Sequence, residues 1–474
     1  MGAVTDGAER SREALFGRLS PHGQQHLLGF WGSLAEHERH SLAAELCQID
    51  FRLMERLYQQ RDSTGDEVRK LADRATSPPS FRLGQGGEGI APQEACRRGT
   101  EALRAGHFGA ILVAGGQGTR LGFDHPKGMF PIGPVSGKTL FQIHVEKIVA
   151  ASRRYGVPVP LYLMTSPATH HETVEFFARH QRFGLPEEDL WIFCQGTMPA
   201  VDAASGRILL DGPGHVALSP DGHGGMLAAF DRSGALSHAR DRGIRHFFYF
   251  QVDNPAVGVC GPEFLGYHLL CGAEMTTQVV RKQDPLEKVG NVVQVDGRLW
   301  VIEYSDLPEE VARRRGAEGS LEIWAGSIAV HAFDLGFLER MARSAEGLPF
   351  HRARKKVPFV DPGGRRIEPQ APNAIKFEQF IFDLMPSAAR AIVVEVDPVR
   401  HFAPLKNGPD EKKDTAATVR AQMIALHTEW LRRAGAEVAD GVAVEISPLV
   451  ALDAGELAGK IRSGARITKP TYFG

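Results

Sequence analysis

The stretch Ile111-Leu-Val-Ala-Gly-Gly-Gln-Gly-Thr-Arg-Leu-Gly-Phe-Asp-His-Pro-Lys127 constrains this chain more than any other. An apolar run leads into four glycines, and Arg120 and Lys127 follow within a few residues. Residues 111–114 read as a short buried strand. Gly115, Gly116, Gly118 and Gly122 then permit a tight turn with no Cβ in the way. Such a turn can point its amide N–H groups at an anion, while Arg120 and Lys127 add positive charge. Two familiar phosphate motifs fail on spacing. Gly116, Gly118 and Gly122 give G-x-G-x-x-x-G, one residue too long for a dinucleotide fingerprint. Downstream, Gly133-Pro-Val-Ser-Gly-Lys-Thr139 is one residue short of a P-loop. Pro131 and Pro134 also speak against the strand that a P-loop must follow.

At 474 residues the chain is too long for one ordinary core, so two or three domains are expected. Helical spacing runs over 24–60, where Leu42, Leu46, Ile49, Leu53 and Leu57 recur, and Ser33 with Glu36 predicts a capping box. Residues 76–89 read as loop, and a helix over 93–105 leads into the glycine stretch. Thr139 and Gln142 predict a second capping box, opening a helix that runs to about residue 154. Strands are expected at 161–164, 191–194, 246–252, 275–280, 291–295, 299–304 and 392–396, with helices at 172–180 and 416–433. This alternation is the βαβ rhythm of a mostly parallel sheet, with ligand loops at the carboxyl ends of its strands. Segments 442–446 and 461–472 suggest a small β-rich appendage. The expected division is a helical N-terminal subdomain (1–105), an α/β catalytic domain (106–408), and a helix with the β-rich subdomain (409–474).

Formal net charge is −2, so no global field draws the chain to nucleic acid or to an anionic membrane. Five cysteines form no C-x-x-C pair, which points to free thiols in a reducing compartment. Residues 1–7 have no signal-peptide or myristoylation pattern, and no apolar run is long enough to span a bilayer. A cytoplasmic location is the expectation.

The glycine stretch resembles the signature of the uridylyltransferases that make UDP-sugars, L-A-G-G-Q-G-T-R-L-G followed by P-K-G. Val113 stands for the leading Leu. The resemblance is to the UDP-N-acetylhexosamine pyrophosphorylase branch of that family. It implies a Rossmann-like, GT-A-like nucleotidyltransferase domain with a mostly parallel sheet. It also implies that Ala114, Gly115, Gly116, Gly118, Thr119, Arg120 and Lys127 bind the nucleotide.

Other candidate residues sit at strand ends or in motifs. Asp253 ends the strand 246–252, where a carboxylate facing a triphosphate is a natural Mg²⁺ ligand or else a helix cap. By resemblance to V-D-N it is the metal-binding aspartate, for Mg²⁺ or Mn²⁺. Gln195 follows the strand 191–194, and its amide offers both a donor and an acceptor to the edge of uracil. In the family this glutamine reads the base, assisted by backbone at P-D-G-x-G-G, which here makes Gly222 the partner. On the sugar side the resemblance implies His223, Gly290 of Leu286-Glu-Lys-Val-Gly290, Glu303 of Val301-Ile-Glu303-Tyr-Ser, and Ser327. His223 replaces the branch's asparagine, and Trp324 and Ser327 replace both asparagines of N-A-G-N-I. Lys376, in Asn373-Ala-Ile-Lys376, and Lys406, in Phe402-Ala-Pro-Leu-Lys406-Asn, are read as phosphate binders. Val399-Arg-His401 stands where the family is usually acidic.

The expected reaction is in-line attack of a sugar 1-phosphate on the α-phosphorus of UTP, with Arg120, Lys127 and Lys406 as the catalytic cations. The expected sugar is N-acetylglucosamine 1-phosphate. Glucose 1-phosphate or a broad sugar range is the alternative. Two readings come from other classes. A nucleotide-sugar glycosyltransferase would usually carry a D-x-D metal motif. A non-catalytic nucleotide-sugar sensor would not need Arg120, Lys127, Asp253 and Lys406 together.

Overall fold

The computed structural model describes residues 11–60, 64–316, 318–344 and 347–474; the heptad 1–7, read above for targeting signals, lies outside them. The chain forms two compact units, each drawn from three segments. One takes the residues up to Glu67, Gly196–Gly225 and Leu348–Ile381. The other takes Val68–Gln195, Met226–Gly347 and Phe382–Gly474. These units are grouped by contacts, whereas the division at 105 and 408 rests on sequence character.

The second unit is built on a ten-stranded sheet. Its main path runs Phe81–Arg82, Ala391–Glu395, Met275–Arg281, Ala325–Asp334, His246–Gln251, Phe108–Val113, Leu161–Thr165, Leu190–Cys194. Every neighbouring pair is parallel except those made by Ala325–Asp334, which runs antiparallel to both flanking strands. The hairpin Asn291–Val295 with Arg298–Ile302 pairs beside that reversed strand. The mostly parallel sheet predicted from the strand–helix rhythm is present. Phe247, Phe248, Tyr249 and Phe250 are all 0 % exposed, as a strand covered on both faces must be.

Local signals account for the helix ends, with one correction. Thr139 caps Leu140–Tyr155, its hydroxyl accepting from Gln142 N at 3.2 Å. Gln142 turns its own amide to Glu146 (3.0 Å) and leaves the reciprocal half of the box unmade. The box expected at Ser33 and Glu36 is displaced by two residues. Glu36–Gln48 starts after Ala35, whose N–H goes to Glu38 Oε2 at 2.7 Å, while Ser33 donates to Phe30 O at 2.8 Å. Ser33 is consumed by the turn before the helix and is not free to cap it.

One further expectation needs revision. Residues 76–89 are not only loop, because Phe81–Arg82 pairs with Val394 and Glu395 as the edge of the main sheet. Phe81 is 1 % exposed and stacks on Tyr267 at 4.6 Å. Two residues are too few to show a period. The C-terminal segment does carry short strands, paired as Glu437–Val438 with Arg466–Ile467 and Val444–Ile446 with Thr471–Phe473. They share a core with Leu431 of the helix Ala416–Arg433 and Leu457 of the helix Ala454–Ala458.

In the first unit the helices Arg12–Leu19, Glu36–Gln48 and Phe51–Gln59 bury Leu19, Leu42, Leu46, Met54 and Leu57 against Val201, Ile375 and Phe377. The last three belong to an antiparallel sheet of Phe350–Lys355, Ala374–Gln379 and Val201–Asp202. Among the described residues no helix is long and apolar enough to cross a membrane.

Candidate active site

Strand register assembles the site. Gln251 pairs with Val113, Val113 with Met164, and Thr165 with Cys194, all in parallel. Ala114, Asp253 and Gln195 therefore leave the sheet at one edge, the carboxyl ends where open α/β sheets take ligands. Ala114 still serves the sheet, its N–H donating to Met164 O at 2.8 Å. Beyond it the chain folds back, with Gly118 N on His125 O (2.9 Å) and Lys127 N on Gly116 O (3.0 Å). A Cβ at Gly118 would lie 2.6 Å from Phe123 O, so this fold-back requires glycine. Among the described residues, the amides of Gly115, Gly116, Gln117, Thr119 and Arg120 meet no protein acceptor. All of these but Gly115 are exposed. A run of unpaired N–H groups is what polyphosphate oxygens need.

Three cations and one carboxylate accompany that run. Lys127 is half-buried, and Nζ donates to Leu405 O at 3.2 Å. Burial pulls its pKa below the ordinary lysine value; Asp253 pushes it back up, and Arg120 and Lys406 pull it further down. Asp253, Arg120 and Lys406 are thus each close enough to Lys127 to act on its charge. Main-chain and amide contacts hold them so. Leu405 N donates to Asp253 O at 2.8 Å. Asn254, 3 % exposed, donates Nδ2 to His401 O (2.8 Å) and accepts from Ala403 N (3.0 Å). The asparagine of the Val-Asp-Asn motif is therefore the stitch that brings the segment carrying Lys406 to Asp253. Sequence reading passed over it.

Sequence reading also passed over two supports from the helix Leu140–Tyr155. His144 Nε2 meets Val252 O at 3.0 Å, and Lys147 Nζ donates to Pro255 O (2.5 Å) and Val257 O (2.8 Å). They brace the turn on both sides of Asp253. Their signal was only a polar residue on a buried face, which is rarely informative.

The divalent cation implied by the family resemblance can be tested on the donor set. Asp253 is half-buried, and its carboxylate accepts no hydrogen bond among the described residues. No group of three or more His, Cys, Asp or Glu is placed to hold a metal among the described residues. One free carboxylate, with other positions left to phosphate oxygens, fits Mg²⁺ or Mn²⁺ better than a closed all-protein site.

Gln195 is 6 % exposed, with its main chain tied by N–H to Thr165 O at 2.9 Å. Its side-chain amide has no protein partner among the described residues, and Oε1 lies against Gly115. A Cβ on Gly115 would come within 2.7 Å of that oxygen. The amide is thus held beside the glycine loop with its hydrogen bonds unspent.

Gly290, Glu303 and Ser327 come together from three segments. A Cβ at Gly290 would meet Val301 Cγ1 at 2.9 Å, Glu303 Oε1 at 3.5 Å and Ser327 Cβ at 3.9 Å. Ser327 N donates to Gly290 O at 2.8 Å. Trp324, which replaces an expected asparagine, is 7 % exposed and lies under the Arg281 guanidinium at 4.3 Å. That guanidinium makes two 3.2 Å bonds to Glu395, so Trp324 is structural here. Lys282, unsignalled in the sequence, is 4 % exposed and donates to Asn291 Oδ1 and Pro285 O, bracing the loop before Gly290. Burial draws its pKa down to about 8, against the opposing charges of Glu287 and Asp284.

Gly222, His223 and Lys376 lie in the other unit. Gly222 has φ +84° and packs on Gln379, and Gln379 N donates to Asp221 O at 2.7 Å. His223 stacks on Phe380 at 5.2 Å, and its Nδ1 accepts from Ile381 N at 3.2 Å. Burial, with a smaller contribution from His351, drives its pKa down to about 4, so the ring is neutral and its remaining nitrogen, Nε2, carries the proton. Lys376 is half-buried on Ala374–Gln379, on the face opposite Ile375 and Phe377.

The near-P-loop at Gly133–Thr139 is explained by a distant carboxylate. Val135 N and Ser136 N donate to Glu445 Oε2 at 2.8 and 2.7 Å, and Ser136 Oγ donates to Oε1 at 2.7 Å. These two amides and the hydroxyl bind protein, and none of the three is left for phosphate. In the departure at Val399-Arg-His401, Arg400 reaches Glu429 at 2.6 Å.

A family described as UTP–glucose-1-phosphate uridylyltransferase matches residues 85–457. The chain belongs to this family. It is 37 % identical over 445 residues to a UDP-N-acetylglucosamine pyrophosphorylase of Saccharomyces cerevisiae, covering 90 % of this chain and 92 % of that protein. It is 37 % identical over 448 residues to UDP-N-acetylhexosamine pyrophosphorylase-like protein 1 of Homo sapiens, covering 91 % and 87 %. The crystal structure of a Trypanosoma brucei UDP-N-acetylglucosamine pyrophosphorylase, solved with an inhibitor, superposes with a TM-score of 0.81 at 27 % identity. That match covers 97 % of this chain and 98 % of that one.

Proposed function

We propose that this family member transfers a uridylyl group from UTP to N-acetylglucosamine 1-phosphate and releases pyrophosphate. The observation that carries the reaction is a single sheet edge with five unpaired amides, three cations and one free carboxylate. The sugar follows from the names of the relatives. The sugar-phosphate dianion is already a competent nucleophile, so no enzyme nucleophile is needed. Its oxygen forms a bond to Pα while the Pα–O bond to pyrophosphate breaks.

The residues then bind, orient and neutralise. Amides of the 115–120 loop, with Arg120 and Lys127, hold the triphosphate. Gln195 pairs with uracil, and the family resemblance alone assigns Gly222 to the base as well. Lys406 steadies the phosphate that receives the attack. Mg²⁺ held by Asp253 and phosphate oxygens would offset the charge that grows on pyrophosphate. Gly290, Glu303 and Ser327 receive the sugar, and the family resemblance alone assigns His223 to the sugar and Lys376 to a phosphate. Five cysteines, none of them paired, support a cytoplasmic setting.

The test is pyrophosphate release from UTP, Mg²⁺ and a panel of sugar 1-phosphates. Preference for N-acetylglucosamine 1-phosphate is expected. A tenfold or greater preference for glucose 1-phosphate refutes the sugar, and no pyrophosphate with any sugar refutes the reaction.

A further inference from the structure

We propose that Lys282 and Asn291 are a positioning pair that sets the geometry of the sugar half of the site, a role that rests on the uridylyl-transfer reading above. The two are 4 % and 1 % exposed, which leaves neither side chain a face for substrate. Together they bond to all three segments that carry Gly290, Glu303 and Ser327. The amide of Asn291 joins two of them. Its Nδ2 donates to Val289 O at 3.3 Å and to Ile302 O at 3.2 Å, the residues immediately before Gly290 and Glu303. Asn291 also pairs with Ile302 on one side and with Gly326, the neighbour of Ser327, on the other.

Lys282 holds that amide and the third segment. Its Nζ donates to Asn291 Oδ1 and, at 3.4 Å, to Pro285 O, and its main-chain N–H donates to Trp324 O at 2.9 Å. Gly326 shows how closely these parts approach. A Cβ there would lie 2.8 Å from Val289 Cγ2 and 3.3 Å from Lys282 Cγ. One ammonium group and one amide thus tie the loop before Gly290, the strand that leads to Glu303 and the strand that carries Ser327.

A buried ammonium is a costly way to fill space, and Lys282 forms no ion pair among the described residues to compensate it. The acids of its own loop are turned to the main chain. Glu287 Oε2 accepts from Gln283 N at 3.1 Å, and Asp284 Oδ1 accepts from Leu286 N at 2.7 Å. Methionine and leucine would fill the two positions without desolvating a charge or an amide. What the polar pair adds is direction. With Oδ1 anchored by Lys282, the Asn291 amide can present Nδ2 only to the opposite side, where Val289 O and Ile302 O are held at one separation. The competing explanation is a polar cluster that merely stabilises the hairpin Asn291–Val295 with Arg298–Ile302.

Lys282→Met, Asn291→Leu and the double variant separate the two. With the full-length enzyme, KM for N-acetylglucosamine 1-phosphate should rise about tenfold or more in all three, while KM for UTP stays within about threefold. Asn291→Leu leaves the ammonium buried without its partner, and the double variant removes that ammonium as well. Its unfolding midpoint should therefore lie above that of Asn291→Leu, with no recovery of the sugar KM. A sugar KM that recovers with the midpoint, or equal changes in both KM values, overturns the proposal. If the single variants do not fold, the two KM values of the double variant decide it. A parent that releases no pyrophosphate refutes the reaction instead. Calorimetric titration of UDP-N-acetylglucosamine and of UTP into the parent and the double variant then carries the test. The affinity for the sugar nucleotide alone must fall, and a parent that does not bind the sugar nucleotide overturns the proposal as well.

Discussion

Replacing Gly115 by alanine should damage base recognition while sparing the fold. The new methyl group would lie 2.7 Å from Gln195 Oε1, 3.3 Å from Ser166 Cβ and 3.4 Å from Ser166 N. Ordinary contact begins near 3.4 Å, so the Gln195 amide must retreat by about 0.7 Å. The crowded atom is the end of a flexible side chain, and Gly115 is not among the glycines with positive φ. Alanine is therefore compatible with the backbone, and its smaller unfolded-state entropy partly offsets the crowding. Net stability should change by less than about 1 kcal/mol. The displaced amide, however, loses a donor and an acceptor to uracil. At about 0.5–1.5 kcal/mol each, this amounts to roughly 1–3 kcal/mol, or about 5- to 150-fold in UTP affinity.

The assay is UTP affinity by calorimetry beside KM for UTP, with the unfolding midpoint as control. Discrimination of UTP from CTP and ATP should shrink, because the loss falls on the base and not on the phosphates. Adding Gln195→Ala should cost little more, since the same contact is already gone. Parental UTP affinity in Gly115→Ala, or an equal loss for every nucleoside triphosphate, would refute the assignment of Gln195 to the base.

Two further outcomes test structure away from the site. Glu445→Ala removes a carboxylate that is 3 % exposed and bonded to two amides and a hydroxyl of the near-P-loop. The unit should lose about 2–4 kcal/mol, seen as a lower denaturant midpoint with UTP affinity preserved; an affinity loss larger than the stability loss would mean that this turn does bind phosphate. Stability should also fall in mild acid. Burial lowers the pKa of His144 and His268 to about 3 and of His427 to about 4, so folded chains hold them neutral while unfolded chains protonate them near 6.5. Stability is complete above the unfolded value and is lost as pH falls towards the folded ones. From pH 7.5 to 5.5 the loss depends only on the unfolded value, about 1.4 kcal/mol per histidine or about 4 kcal/mol for the three. Thermal melts across that interval should show it, and a flat profile would contradict the burial of these rings.

Much of this protein is written locally. The apolar run at 108–113, the glycines after it and the aromatic strand at 246–251 each announce themselves within a few residues, because backbone freedom and solvent exclusion act on neighbours. Strand positions, the Thr139 cap and the helix Ala416–Arg433 were legible for the same reason. Phe81–Arg82 was not, because a two-residue edge strand exists only through its partner at Val394 and Glu395. Nor was the fate of Gly133–Thr139, decided by a carboxylate about three hundred residues away.

The sequence by itself determined which segments could bind phosphate and which family the chain resembles. Only the tertiary structure decided which of those groups are free to bind and which are spent on the protein. Asn254 ties Asp253 to the Lys406 segment, Gly290 meets Glu303 and Ser327, and the main chain of Asp414 holds the turn that carries Lys406. Those pairings join positions with no common period. They arise from sheet register and chain crossing, and a linear pattern carries no record of either.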